Sequence, residues 1–381
     1  MNDTLEANIN TTLIELNIKE YYIIKPLIKN PYFELNINAF INGFPSTRIW
    51  TNSNKNPNFA YVWDKGSNHY LLGNPTTDDV LELRNLIRSL FIDDKNNKEN
   101  SYCTFKEKTS WSKVFDGELF KDGPITRPRK FYEYKEEKIV NWKNKIPEEY
   151  SIERITAELL AKGYTGTDEI ENEVSHMWGS VKDFLAKGFG FCVIFKNSEI
   201  AGWCTGEYFS EERCGIGIET FDDHQRQNLA TYMTLAFVEY AKSKNFRVFW
   251  DCWADNIPSI KTAEKVGFEL IYSFDTLFAS FNHMENLLIL GYDSYLREEW
   301  RKALDYYKEA KVIGEDKIAF YSYFFMAICS ARVKLYDQTF EYLELAFNKG
   351  FNDFDRLEEE EAFKEIKENT KWQLLIRKKK D

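Results

Sequence analysis

The spacing of apolar positions changes along this chain, and the changes divide it into three stretches. From residue 1 to about 140, a helical start gives way to short alternating runs. FAYVWD (59–64) and HYLLG (69–73) flank the turn-like KGSN and read as a β-hairpin. DVLELRNLIRSLF (79–91) has apolar residues at helical spacing, and DDKNNKENS (93–101) reads as an exposed charged loop. FKDGPITRPRK (120–130) predicts a turn and edge segment leading into a strand, FYEY.

The middle stretch, 141–282, predicts a strand at YSIERIT and a helix over 173–188, closed by Gly188 in a left-handed C-cap. Strands FGFCVIFKN, EIAGWCTGEYF and CGIGIETF follow, then a helix LATYMTLAFVEYAKSKN, a strand RVFWDCW, a helix PSIKTAEKVG and a strand FELIYSF. Strands joined partly by hairpins and partly through helices imply a mixed α/β sheet flanked by helices. The last stretch, 283–381, reads as all-α. Gly291, Ala303, Tyr307 and Ala310 recur thirty-six positions later as Ala327, Thr339, Leu343 and Ala346. Small residues at matched helix crossings are what stacked helical hairpins require, and a final helix is expected around KWQLLI (371–376).

Composition narrows the function. With 381 residues, 43% hydrophobic and 16% aromatic, the chain can fill two or three cores. A net charge of -11 argues against general nucleic-acid binding, which Lys and Arg drive, and mildly favours cationic partners. Six cysteines without a CxxC and four scattered histidines imply neither a metal site nor a disulfide framework. No basic start with an apolar core marks a signal peptide, and no apolar run approaches the roughly eighteen residues of a membrane span. A cytoplasmic location is expected, without a membrane partner.

The chemistry concentrates in CGIGIETFDDHQRQNLATYMTLAFVEYAKSKN (214–245), a strand turning through QRQNLA into a long helix. Such a turn aims several backbone N–H groups at one spot, where the helix dipole adds positive charge, and so suits a pyrophosphate. Gln225, Arg226, Gln227, Asn228, Leu229 and Ala230 resemble the Q/R-x-x-G-x-G/A loop of the GNAT superfamily of acyl-CoA N-acyltransferases, with Asn228 in place of the central glycine. Asparagine is the next most tolerant residue at positive φ. Downstream, WDCWADNIPSIKTAEKVGFEL resembles the superfamily's fifth strand, fourth helix and closing Gly-Phe, with Asn256, Ser259, Glu264, Lys265, Gly267 and Phe268 at the family spacing. Trp250, Asp251 and Cys252 resemble a two-lobed branch that includes acetyltransferases similar to those conferring resistance to zwittermicin; the likeness spans about 30–280. In that branch residues 1–140 would be a degenerate second copy of the fold, 141–282 the acetyltransferase domain, and 283–381 repeats resembling tetratricopeptide repeats.

The resemblance implies transfer of acetyl from acetyl-CoA, without a metal, to a primary amine of a small polar cationic molecule such as an antibiotic-like one. The backbone of Glu219, Thr220 and Phe221 would pair with the pantetheine arm, and Gly215 and Gly217 suit a bulged strand there. The amides of Gln227–Ala230 would hold the pyrophosphate, with Gln225, Arg226, Thr231, Asn256, Ser259 and Lys265 completing the cofactor site. Attack needs a neutral amine, whereas an alkyl amine titrates near 10.4, so a carboxylate base is sought. Glu219 is the first candidate, Asp251 the second and Glu207 the third; each could instead orient substrate or pair with a buried base. Ala263 occupies the position where many relatives carry a tyrosine acid, and Tyr272 or Tyr208 could substitute or lie in the core. Cys252, lacking a histidine partner, reads as a core residue, which leaves direct transfer. His224, next to the phosphate loop, could contact the cofactor but reads first as an exposed turn histidine, and Trp203, Trp250 and Trp253 read as core residues that could wall an acceptor pocket. Two other classes stay open: an inactive GNAT-fold scaffold whose repeats recruit a peptide or protein, and a peptide or protein acetyltransferase.

Overall fold

The computed structural model describes residues 11–29, 31–43, 47–93, 102–106, 112–115, 119–120 and 122–380. Its strands are β1 (Ile14–Glu15), β2 (Arg48–Thr51), β3 (Phe59–Trp63), β4 (Asn68–Gly73), β5 (Tyr102–Lys106), β6 (Ile125–Tyr134), β7 (Tyr150–Arg154), β8 (Gly190–Phe195), β9 (Glu199–Ser210), β10 (Arg213–Thr220), β11 (Arg247–Trp253) and β12 (Phe268–Ser280). Its α-helices are α1 (Pro31–Ile41), α2 (Thr77–Phe91), α3 (Ala157–Leu160), α4 (Thr167–Trp178), α5 (Val181–Lys187), α6 (Leu229–Ser243) and α7 (Ile257–Val266). Then come α8 (His283–Leu296), α9 (Trp300–Gly314), α10 (Phe320–Arg332), α11 (Tyr336–Asn348), α12 (Phe354–Glu359) and α13 (Thr370–Lys380). None of the described helices is long and apolar enough to cross a membrane. Two units are distinguishable: Met1–Leu86 with Thr104–Lys113 and Thr126–Leu277, and Ile87–Cys103 with Val114–Ile125 and Phe278–Asp381.

The first unit is built on a twelve-stranded sheet ordered β1-β2-β3-β4-β5-β12-β6-β11-β10-β9-β8-β7, which bears out the mixed α/β class. One pattern occurs twice in it. β2, β3 and β4 pair antiparallel in turn, and β4 then pairs β5 in parallel, with α2 in the connection. Likewise β8, β9 and β10 pair antiparallel, and β10 pairs β11 in parallel through α6. A parallel neighbour needs a crossover long enough for a helix, and each helix supplies one. The expected hairpin is β3–β4, with Phe59 opposite Gly73 and Trp63 opposite His69. The α6 residues Leu229, Met233 and Phe237, at i, i+4 spacing, sink into one core with Val193, Cys204 and Ile216 of the sheet.

Three local expectations are corrected. FKDGPITRPRK does not lead along an edge: β6 lies inside the sheet between β12 and β11. Pro128 is tolerated there because it contributes only its carbonyl, which accepts from the Ala254 N–H. The helix over 173–188 is two helices, since Gly179 turns left-handed (φ 78°) and Ser180 caps α5 by accepting from the Asp183 N–H. Gly188 is not left-handed (φ -103°); it is small because a Cβ would meet the Trp178 ring at 2.6 Å. Strand β12 runs on past FELIYSF to Ser280. Residues 94–101 of the charged loop and 1–10 of the helical start lie outside the described residues.

The second unit contains α8–α13, in line with the expected all-α stretch. Pairs α8–α9 and α10–α11 form two helical hairpins. Gly291 lies against the Tyr307 ring, which a Cβ would meet at 2.8 Å. Ala303, Tyr307 and Ala310 are buried, as are Ala327, Thr339, Leu343 and Ala346. Trp372 and Ile376 of α13 join the same core.

Candidate active site

Strands β10 and β11 pair at only three positions, Arg213 with Arg247, Cys214 with Val248 and Gly215 with Phe249. Both continue further, to Thr220 and Trp253. Among the described residues, from Ile216 onward β10 pairs with β9 alone, so its other edge faces an opening in which an extended amide chain can bond as an added strand. Next to this opening the β9–β10 register shifts between Arg213 and Gly215. The extra residue is on β9, where Tyr208 adopts φ 51°. At Gly217 a Cβ would meet the Glu207 carboxylate, the far end of a flexible side chain that would have to swing aside.

Beyond Thr220 the chain makes a short turn, Asp222–His224, and enters α6 through Asn228. Asn228 (φ 63°, ψ 16°) and Arg226 (φ 62°) are left-handed, so asparagine holds the conformation a glycine would. That region costs most side chains about 1–2 kcal/mol, and asparagine less. Among the described residues no backbone carbonyl accepts from the N–H of Arg226, Gln227 or Asn228. The N–H groups of Leu229, Ala230 and Thr231 open the helix and have no partner within it. Lys265 of α7 donates to Asn228 Oδ1 at 2.6 Å, bringing an ammonium to the same point. Unbonded amides, a helix dipole and a lysine are together groups that can receive an anion. Thr220 Oγ1, at the end of the opening, is buried without a hydrogen-bond partner.

The loop is braced from beneath. His224 is buried, not exposed as expected, with Nδ1 3.1 Å from the Tyr150 hydroxyl and Nε2 3.2 Å from Glu199. Gln227 donates to the same Tyr150 oxygen at 2.9 Å, and Gln225 donates to the Thr220 carbonyl and Asp222. The burial of His224 is therefore explained by two polar partners, which a turn sequence alone does not reveal.

The register of β9 and β10 puts Gly215, Gly217 and Glu219 on one face with Glu207, Thr205 and Trp203. Glu219 is exposed there, near enough to Glu173 of α4 for their charges to interact. Burial pushes the Glu173 carboxyl above the usual range, the Glu219 charge adds to this and His176 opposes it. On the same side of the sheet lies a cavity of about 310 Å³, whose walls include Asn36, Asn68, Arg129, Glu207, Tyr208, Gly215, Ile216, Asp251 and Trp253. Asp251 is engaged within it, accepting from Arg129 Nε at 2.8 Å and from the Tyr32 hydroxyl at 2.9 Å. The Arg129 guanidinium lies 4.3 Å from the Trp253 ring centroid.

The remaining expected residues sit as follows. Asn256 caps α7, accepting from the Ser259 N–H at 3.1 Å, and Ser259 Oγ accepts from Trp250 Nε1 at 3.0 Å. Phe221 is half-buried against Gly166. Cys252, Ala263, Trp203 and Trp250 are buried in cores, and burial pushes the Cys252 thiol up. Tyr208 is half-buried with its hydroxyl beside Tyr70, and Tyr272 is exposed on β12. The sequence reading missed Glu173, Tyr150, Arg129 and Asn36, because no short-range spacing links them to the loop. Only Glu173 left a trace: it flanks the buried Ile170–Val174–Trp178 stripe of α4. Among the described residues no group of three or more His, Cys, Asp or Glu could hold a metal.

Comparison with known proteins gives concordant results. The family model described as GNAT acetyltransferase matches residues 25–277. The chain is 19% identical over 264 residues, 69% of its length and 97% of the relative's, to the uncharacterized N-acetyltransferase YdfB of Bacillus subtilis (strain 168). Among solved structures it resembles a GCN5-related N-acetyltransferase-like protein from Streptococcus suis 89/1591, with TM-score 0.52, 17% identity and coverage of 69% of this chain and 98% of that one. This last likeness concerns the fold.

Proposed function

This chain belongs to the GNAT acetyltransferase family, and on that premise we propose that it moves an acetyl group from acetyl-CoA to a primary amine of a small polar molecule by direct transfer. The observation that carries the reading is the parting of β10 from β11 after Gly215 and Phe249, immediately before the open amides that begin α6. The pantetheine arm would bond along the free edge of Glu219, Thr220 and Phe221. The pyrophosphate would lie on the amides of Gln227–Ala230, with Arg226 and Lys265 as counter-charges and Gln225, Thr231, Asn256 and Ser259 shaping the surround.

In the reaction the free amine attacks the thioester carbonyl, a C–N bond forms, the C–S bond breaks, and the proton lost by the amine is taken up by a carboxylate. Glu219, facing Glu173 on the open side of β10, is the base we favour. Asp251 is already committed to Arg129 and Tyr32, and Glu207 lies over Gly217. With Ala263 in the core, the sulfur leaves as thiolate, which a thiol pKa of about 8.5 permits. Burial of Cys252 supports direct transfer, because a thiol pushed up in pKa is a poor nucleophile.

We read β2–β5 with α2 as a degenerate copy of β8–β11 with α6. The repeated pairing pattern supports this. At the start of α2 the Asp79 carboxylate accepts from the Thr76 N–H and hydroxyl, both at 2.8 Å, so an acid closes the end that α6 leaves open. The packing of Gly291 under Tyr307 supports a tetratricopeptide-like reading of the second unit, with a peptide partner as its counterpart.

Calorimetry with acetyl-CoA, followed by a thiol-release assay over a panel of primary amines, tests the proposal. Micromolar binding and turnover are expected, with Glu219→Gln lowering kcat at least tenfold while acetyl-CoA affinity stays within threefold. Absence of binding at millimolar acetyl-CoA would overturn it.

A further inference from the structure

A second cleft lies on the face of the sheet that α6 covers, opposite to the face of Glu219. β7 is the last strand of the sheet, and Tyr150, Ile152 and Arg154 alternate onto that face, beside Phe191 of β8. Ala236, Glu239, Tyr240 and Ser243 of α6, at i, i+3, i+4 and i+7 spacing, form the facing wall, and Trp142, in the short turn Trp142–Lys145 before β7, completes the lining. The space between them is about 540 Å³. Ile152, Phe191 and Tyr240 are only half-buried against the core beneath it. Trp142 is 6% exposed, yet its indole N–H donates to no described residue.

The charges around this space do not balance. Lys143 and Glu239 pair at 2.9 Å and cancel each other. Beside Tyr240 stand two further cations. Arg154 donates to the Tyr240 hydroxyl at 2.8 Å with its guanidinium carbon 5.4 Å from the ring centroid, and Lys244 Nζ is 5.5 Å from the same centroid. Among the described residues no carboxylate lies within ion-pair distance of either. Glu158 reaches Arg154 only through its charge, so the local sum stays positive in a chain whose net charge is -11. A positive rim draws an anion. The aromatic lining below it requires that the anion carry a flat apolar body, which can pack edge-to-face or offset on the rings. The volume falls within the range of small-molecule pockets.

We propose that this cleft is a second ligand site, which takes an aromatic carboxylate with its ring system among Trp142, Phe191 and Tyr240 and its carboxylate on Arg154. Lys244 adds to the attraction, and the Trp142 N–H offers a donor to a polar atom on the ring body. The site stands apart from the place where β10 and β11 separate, and its occupancy does not depend on the acetyltransferase reading. It is nevertheless linked to the cofactor loop. Tyr150, two positions from Ile152 on the same face of β7, is bonded to His224 and Gln227 beneath that loop. A ligand resting on Ile152 therefore sits beside the brace that shapes the entrance to α6.

Calorimetric titration of the full chain with 2-naphthoate, with its neutral amide and with 2-naphthylmethylamine tests this directly. The acid is expected to bind with a submillimolar Kd, the amide and the amine at least tenfold more weakly. Arg154→Gln is expected to weaken the acid at least tenfold, and Arg154→Lys, which keeps the charge, to recover part of that loss. Glu239→Gln, which releases Lys143 from its partner, should tighten binding severalfold, a gain that damage to folding cannot produce. The proposal is overturned if the acid does not bind the wild-type chain at millimolar concentration, or if the amide or the amine binds as well as the acid. It is equally overturned if Arg154→Gln binds the acid as the wild type does.

Discussion

Glu173 is half-buried on α4 facing Glu219, and its carboxyl is held above the ordinary range by burial first and by the neighbouring charge second. A carboxylate raised in the folded state binds its proton more tightly there than in the unfolded chain, so stability falls as pH rises through the interval between the two values. Glu173→Gln removes this cost. The variant is expected to melt about 1–3 °C higher than the parent at pH 8, and close to the parent at pH 3, where the carboxyl is largely protonated in the unfolded chain as well as the folded one. Equal melting temperatures at both pH values would show that Glu173 bears no strain. The expected gain in stability should come with a loss of turnover, since a carboxylate kept near Glu219 at a cost in stability is placed for chemistry.

The loop entering α6 shows how far local sequence can be read. QRQNLA followed by an amphipathic run specified the helix and its open start, and Asn228 does sit at positive φ. Replacing it by glycine should therefore preserve the backbone, with melting temperature within about 2 °C of the parent, whereas a β-branched valine, which the left-handed region excludes, should lower acetyl-CoA affinity at least tenfold. Calorimetry on Asn228→Gly and Asn228→Val separates the two. Periodicity also gave the β3–β4 hairpin, α2, α6 and the helices from α8 onward. It failed where a distant contact decided the local outcome. The break at Gly179 lies inside an apolar pattern that continues across it, and Gly188 owes its size to the Trp178 ring rather than to its own dihedrals. His224 was misplaced for the same reason, because Tyr150 and Glu199, which allow it to be buried, are 74 and 25 residues away.

Across the molecule, pH acts on folding through His69 as well. Its Nδ1 lies 2.8 Å from the Tyr61 hydroxyl, its ring stacks on Phe105 at 4.8 Å, and burial lowers its pKa to about 3. An imidazole that stays neutral when folded but protonates when unfolded draws the equilibrium toward the unfolded chain as pH falls from about 6.5 toward 3. Over that interval the loss attributable to this residue is at most about 1.4 kcal/mol per pH unit. Urea titrations at pH 4, 5 and 6 should show a shallower dependence in His69→Gln than in the parent; parallel curves would place the acid sensitivity elsewhere. The order of the central strands has a different kind of consequence. β6, which precedes residue 141, separates β11 from β12, which both follow it by more than a hundred residues. A polypeptide cut in the connection near Pro147 would therefore yield two pieces, each lacking a strand that the other holds, with rows of unpaired N–H and C=O groups that invite self-association. Expressed alone, residues 141–381 should collect in inclusion bodies; produced together with residues 1–140, they should assemble into a soluble complementation pair whose halves know each other by a shared backbone ladder.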